Sequence, residues 1–319
     1  MDTHHEHHHH GNRVEDRRLI TGNGKYASDW NAAGQLYGYF LRSDRAHAEI
    51  LRLDATAARK HPGVKQILTG EDAVAAGYVT PPHSLTIPGR NGSKANPTKR
   101  PVLAHKKVRF VGEAVALVVA DSAIAAQDAA ELIEVEYKDL PCVVRPDAAL
   151  AAGAPQLHDE VPGNLLLEAD AGNEKDVEAA FAKAAHITRL KVETTRVSPS
   201  PMEPRACLVA YDKAKDEYRF NVVMQGVTTL RKQISAWTKM PEEKLIFEAR
   251  DVGGGFGQRT VAYPEYCALM IAAKSLGKPV KWVSTRVEAF LTDTHGRANI
   301  IDGALALDAN GKFLAMRLD

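Results

Sequence analysis

Seven consecutive apolar residues at 114–120 (AVALVVA), followed by Asp121-Ser122 and an alanine-rich stretch to about Ile133, constrain this chain most. A strand with one wet face alternates in polarity, whereas a short continuous apolar run belongs to a strand covered on both faces. Asp121-Ser122 offers side-chain oxygens to the first turn of a following helix. Residues 134–137 resume as strand, closed by Leu140-Pro141. Such a unit needs helices layered on a sheet, so the expected fold class is α+β or mixed α/β.

Other signals extend this grammar. Residues 35–42 have the aromatic content of a strand; Asp54 caps a helix over 55–61, which Pro62-Gly63 ends; 64–68 is strand. Residues 77–101, rich in proline and glycine, read as a long surface loop. In the second half, 176–185 is helical, 187–197 is a long alternating strand, and 206–212 and 217–224 pair across a charged turn. Residues 229–240 and 261–275 are helices, and 245–251 and 280–283 are strands. Residues 300–307 and 313–318 form a hairpin around Asn310-Gly311. Three regions follow: a first domain over 13–145, a linker over 146–163 and a second domain over 164–319. The hairpin runs to Asp319 with no closing element, so a partial second domain is expected.

Composition excludes several classes. At 319 residues, 45% hydrophobic and with a net charge of +1, the chain has neither the basic excess of a nucleic-acid binder nor the bias of a disordered one. Its longest apolar runs are too short to span a bilayer. Residues 1–12 hold six of the 13 histidines and read as an expression tag or His-rich leader. Cys142, Cys207 and Cys267 are too far apart for a CxxC zinc site or a local iron–sulfur loop, and they point to a reducing compartment, the cytoplasm.

Chemistry concentrates in a few stretches. Asp251-Val252-Gly253-Gly254-Gly255-Phe256-Gly257-Gln258-Arg259 places four glycines in five positions between a strand and a helix. Glycine lets backbone N–H groups approach a ligand, and a helix start adds donors, so the natural guest is an oxyanion. Neither phosphate-loop fingerprint fits: Gly257-Gln258-Arg259 lacks the Lys-Ser/Thr ending, and Gln258 stands where the dinucleotide motif needs a small residue. In Pro199-Ser200-Pro201-Met202-Glu203-Pro204-Arg205, three prolines stiffen the chain. Glu203 and Arg205 either pair across Pro204 or belong to a wall beside a pocket, and both readings stay open. Gln225-Gly226, at a strand end, can present an amide to a ligand oxygen. Glu265 reads as a salt-bridge or surface residue. The scattered histidines show no metal-ligand spacing, so no protein metal ligand is expected.

Taken in order, these residues resemble the large, molybdopterin-binding subunit of the xanthine dehydrogenase, aldehyde oxidase and carbon monoxide dehydrogenase family. Arg13-Val14-Glu15-Asp16 and Leu19-Ile20-Thr21-Gly22 resemble its opening segment, and Val111-Gly112-Glu113 with the apolar run, Ala129-Ala130-Glu131 and Val135-Glu136-Tyr137-Lys138-Asp139-Leu140-Pro141 match its hammerhead-like first domain. Pro201 to Arg205, Gln225-Gly226, the glycine loop and Tyr263-Pro264-Glu265 match the beginning of its cofactor-binding domain. The resemblance implies a molybdopterin-type molybdenum cofactor, including its cytosine dinucleotide form, near Gln225, Gly226, Gly254, Gly255, Phe256 and Gly257. It implies a substrate pocket wall at Met202, Glu203 and Thr260, and hydroxylation of an N-heterocycle or aldehyde, or oxidation of carbon monoxide. Thr260 stands where xanthine-type members carry a substrate-contacting glutamate, which argues against a purine. The catalytic glutamate base is expected beyond Asp319, so the isolated chain is expected to be inactive. Implied partners are an iron–sulfur subunit, an FAD subunit, the remaining half of the molybdopterin subunit and a small-molecule substrate. A non-catalytic binding or assembly module of the same fold is the alternative.

Overall fold

The structure, a computed structural model, describes residues 13–78, 87–96 and 98–319. The His-rich residues 1–12 and residues 79–86 of the expected long loop lie outside the described residues. The first half carries helix α1 (Asp16–Ile20), strands β1 (Leu36–Arg42) and β2 (Ala48–Asp54), helix α2 (Thr56–Lys60), strand β3 (Val64–Thr69) and helix α3 (Gly70–Ala75). Strands β4 (Lys107–Val108) and β5 (Ala114–Ala120), helix α4 (Ala123–Glu131), strand β6 (Glu134–Asp139) and helix α5 (Pro146–Ala149) follow.

The apolar run is β5, and every residue of it is buried. Its side chains alternate between two cores. Leu117 and Val119 enter the largest one, while Ala116, Val118 and Ala120 pack with Ala58 of α2 and Ala126, Ala129 and Ala130 of α4. Ser122 caps α4 by accepting from the Ala125 amide at 3.1 Å. Yet β5 is antiparallel to both of its neighbours, β1 and β3. After α4 the chain also leaves this sheet: β6 pairs with β2 in a separate sheet ordered β4-β2-β6. Cover on both faces, rather than parallel pairing, is what the run recorded.

The second half carries α6 (Glu174–Lys183), β7 (His186–Glu193), β8 (Arg196–Val197), β9 (Ala206–Asp212), β10 (Glu217–Val222), α7 (Val227–Thr238) and β11 (Leu245–Glu248). It continues with α8 (Pro264–Leu276), β12 (Val280–Val283), α9 (Arg286–Thr292), β13 (Gly296–Arg297), β14 (Ile300–Leu307) and β15 (Phe313–Leu318). The expected strand over 187–197 divides at Thr194-Thr195, because β7 pairs with β14 while β8 pairs with β13. The hairpin forms as expected and gains β7 as a third strand, in the order β15-β14-β7.

The two halves share one sheet. Seven strands run β11-β10-β9-β12-β1-β5-β3, and the seam is a short parallel pairing of Leu36 with Val280 and Tyr37 with Lys281. The larger of the cores packed on it spans both halves, drawing Phe40, Leu68 and Leu117 from the first half and Val209, Phe220, Leu269 and Trp282 from the second. Helix α8 is apolar nearly all round because it is covered nearly all round, with residues 264–270 buried without interruption.

Candidate functional site

The glycine loop leaves β11 and makes a short 3-10 turn, Gln258–Thr260, before α8 begins at Pro264. The helix expected from about residue 261 therefore begins three residues later, set off from the glycines by that turn. Donors at this site come from the loop's own backbone. Gly254 (φ +113°), Phe256 (φ +49°) and Gly257 (φ +91°) all occupy the left-handed half of conformational space, where a bulky residue such as phenylalanine is strained. Gly255 is there for space rather than for φ: a Cβ on it would sit 2.2 Å from Cδ of Gln225.

Gln225 and Glu203 hold this loop in shape. Gln225 follows β10, and its Oε1 accepts from the amides of Gly257 (2.8 Å) and Arg259 (3.1 Å). With the oxygen so occupied, the amide is oriented, and Nε2 makes no hydrogen bond among the described residues. Glu203 is buried, its Oε2 accepting from Gly253 N (2.7 Å) and its Oε1 from Ala27 N (2.9 Å). One carboxylate thus ties the loop to the N-terminal segment. Burial raises the Glu203 pKa, opposed by those two amides and by Arg259. Glu203 does not pair with Arg205 across Pro204, since both of its oxygens are taken by backbone amides. Met202 and Thr260 are exposed, and the Thr260 hydroxyl donates to the Gly257 carbonyl at 2.6 Å. Gly226 takes the N-cap position of α7.

Beneath the loop lies a buried charge network. Arg205 reaches Asp293 (Nε to Oδ1, 2.5 Å) and Glu265 (3.2 Å), and its guanidinium lies 3.9 Å from the Tyr263 ring centroid. Arg259 meets the other Asp293 oxygen at 3.1 Å and donates to the Glu203 carbonyl at 3.0 Å. Arg42 joins Glu265 (3.1 Å) to Glu288 (2.8 Å). Three guanidiniums face three carboxylates, as buried charges require. Burial alone would raise the Glu265 pKa, but Arg205, Arg42 and Arg100 overcome it and hold the carboxyl well below its ordinary range. Glu265 is therefore a salt-bridge residue of the interior. Reading the sequence missed Arg42, Arg259, Glu288 and Asp293. The one available signal was charge set into apolar runs, as at Arg205 before Ala206-Cys207-Leu208-Val209.

Three successive amides, Gly254, Gly255 and Phe256, have no acceptor among the described residues. Together with Gln225 Nε2 they form a donor cluster on an accessible loop, with the Phe256 ring 70% exposed beside it. Consecutive amides flanked by left-handed residues make a concavity for an anion or a partly negative oxygen. Among the described residues no group of three or more His, Cys, Asp or Glu is placed to hold a metal ion. His47 is buried, with Nδ1 2.7 Å from the Pro141 carbonyl.

The family model for the aldehyde oxidase and xanthine dehydrogenase a/b hammerhead domain matches residues 21–141, and that for the molybdopterin cofactor-binding domain matches 157–319. The gamma subunit of the 6-hydroxypseudooxynicotine dehydrogenase complex of Paenarthrobacter nicotinovorans is 37% identical over 96% of this chain and 38% of its own length. The carbon monoxide dehydrogenase large chain of Afipia carboxidovorans is 35% identical with the same coverage. Quinoline 2-oxidoreductase from Pseudomonas putida 86 superposes with a TM-score of 0.84 at 34% identity, over 96% of this chain and 38% of that one. The chain thus spans about two fifths of the length of these relatives.

Proposed function

The chain belongs to the family that joins the aldehyde oxidase and xanthine dehydrogenase hammerhead domain to the molybdopterin cofactor-binding domain, and on that premise we propose that it serves as part of a molybdenum hydroxylase large subunit. The observation that carries this reading is the donor cluster of Gln225 Nε2 and the Gly254, Gly255 and Phe256 amides. Its fit to an oxygen-bearing cofactor rests on two features of the loop. These donors have no acceptor among the described residues and lie on a partly exposed loop, and a Cβ at Gly255 would strike Gln225 at 2.2 Å.

When bound, a molybdopterin-type cofactor, in its plain or cytosine dinucleotide form, supplies two-electron redox chemistry for hydroxylating carbon. This chain's part is to hold it. Gln225 turns Nε2 outward because Oε1 is fixed by the Gly257 and Arg259 amides. Glu203 fixes the start of the loop, and the buried ion pairs of Arg259 and Asp293 fix its end. Such donors need no reorganisation when the ligand arrives, which is where preorganised electrostatics are most effective. Phe256 shields one side from water, and Met202 and Thr260 border the space left for substrate.

The substrate class that accords with the relatives is an N-heterocycle or aldehyde, with carbon monoxide as the variant chemistry. Electrons leave through iron–sulfur and FAD partner subunits, in the cytoplasm, and the remainder of the large subunit supplies the catalytic base. No helix among the described residues is long and apolar enough to cross a membrane. The test is Gly255→Val in the assembled complex, with molybdenum measured per complex. We expect metal content to fall by roughly tenfold or more while the complex still assembles, because the added branch displaces the Gln225 amide. Wild-type metal content would overturn the assignment and favour the alternative, a non-catalytic module of the same fold.

A further inference from the structure

A second set of polar groups lies outside the glycine loop. Arg100, Arg109, Phe110, Glu113, Leu157 and His158 line a half-open cavity of about 280 Å³. Arg100 is the unusual member. Among the described residues it makes no hydrogen bond and no ion pair, and its guanidinium lies 5.5 Å from the Phe110 ring centroid. The nearest carboxylates are committed elsewhere. Glu265 is held by Arg42 and Arg205, and Glu113 accepts from the Arg109 amide at 2.6 Å. The neighbouring network is balanced at three cations against three anions, and in the cavity itself Arg100 and Arg109 stand as two cations against the one carboxylate of Glu113. Burial pushes the Arg100 pKa down in spite of Glu265 and Glu113, as expected of a cation without a partner.

The other polar groups of the cavity are similarly free. Arg109 spends Nε on the Leu157 carbonyl (2.9 Å), and its terminal nitrogens make no hydrogen bond among the described residues. His158 has a buried Nδ1 with no partner. Burial and the Arg109 charge lower its pKa, so the ring is neutral at pH 7 and can donate from that nitrogen. Of the nearby carboxylates, Glu113 lines the cavity and accepts from the Arg109 amide, Glu160 accepts from the Lys99 amide at 3.2 Å, and Asp159 pairs with Lys107 at 3.2 Å. Phe110 and Leu157 supply apolar wall. A mainly apolar cavity with a few convergent polar groups is the usual form of a small-molecule site, and a free guanidinium fork selects a carboxylate.

We propose that this cavity binds a small organic acid, its carboxylate on Arg100 and Arg109 and its apolar body against Phe110 and Leu157. The probe is benzoate, titrated into the 319-residue chain by calorimetry or amide NMR, with benzamide as the uncharged match in shape. Saturable benzoate binding at least roughly tenfold tighter than benzamide, and weakened at least roughly tenfold by Arg100→Gln, is the expected result. Should Arg100→Gln fail to fold by circular dichroism, Arg100→Lys takes its place, with an expected loss of about threefold or more from the missing fork. Absence of saturable binding, equal affinity for benzamide, or affinity unchanged by the substitution would each overturn the proposal.

Discussion

At Gln225 one side-chain amide has two separable tasks. Oε1 receives the Gly257 and Arg259 amides, which shapes the loop, and Nε2 faces outward. Gln225→Glu divides them, since a carboxylate still accepts both amides but presents an oxygen where a donor stood. We expect the Gly257 and Arg259 amides to exchange no faster in this variant than in the wild type, while molybdenum content of the assembled complex drops by about tenfold. Loss of amide protection would instead show that the donor face and the loop shape are one property. Gly255 teaches the same lesson about space. Its four-glycine context was legible in the sequence, but the reason for this glycine was not, because the atoms that exclude a Cβ belong to Gln225, thirty positions earlier in the chain.

Among the elements, the docking of the N-terminal segment depends on one aspartate. Asp251 binds Arg18 with both oxygens (2.5 and 2.7 Å), accepts from the Lys25 amide at 2.6 Å, and returns its own N–H to the Lys25 carbonyl. The Arg18 hydrogen bond and then the Lys25 amide draw its pKa down to about 2. A depressed carboxylate stabilises the folded arrangement above its ordinary pKa, near 4, and loses that contribution as pH falls through the folded value. Residues 13–26 should therefore become protease-sensitive between about pH 4 and pH 2, and Asp251→Asn should show that sensitivity already at pH 7. A pH-independent cleavage pattern would show that α1 is held by something else.

Elements with strong local signals were readable. Strands β1, β5 and β12, helix α4 and the terminal hairpin have the polarity pattern, cap or turn that their position demands. Strand β2 went unread because Arg52 and Asp54 interrupt its pattern, and its register with β6 shifts between Ile50 and Arg52. The division of 187–197 was illegible for another reason: it is imposed by which partner strand each part meets. The glycine loop and Gln225 were visible one by one, whereas the charge floor of Arg42, Arg205, Arg259, Glu265, Glu288 and Asp293 exists only once distant segments are packed together.

For the molecule as a whole, the seam between β1 and β12 makes the two halves of the sequence one folding unit. A protease site inserted after Gly153, whose surroundings are open, should allow cleavage without separation. The two pieces are expected to co-elute and to melt in a single transition, because Phe40, Leu117, Leu269 and Trp282 share one core. Elution as two species would show that the seam is weaker than the core it borders. The same seam sets a timetable for synthesis. Strand β1 is complete at Arg42, but its partner β12 begins only at Val280. Between them the ribosome must add roughly 240 residues, about ten to fifty seconds at ordinary rates of synthesis. Throughout that interval Leu36 and Tyr37 present an open strand edge, so the nascent chain, long before it meets any cofactor, is the form of this protein most in need of a chaperone.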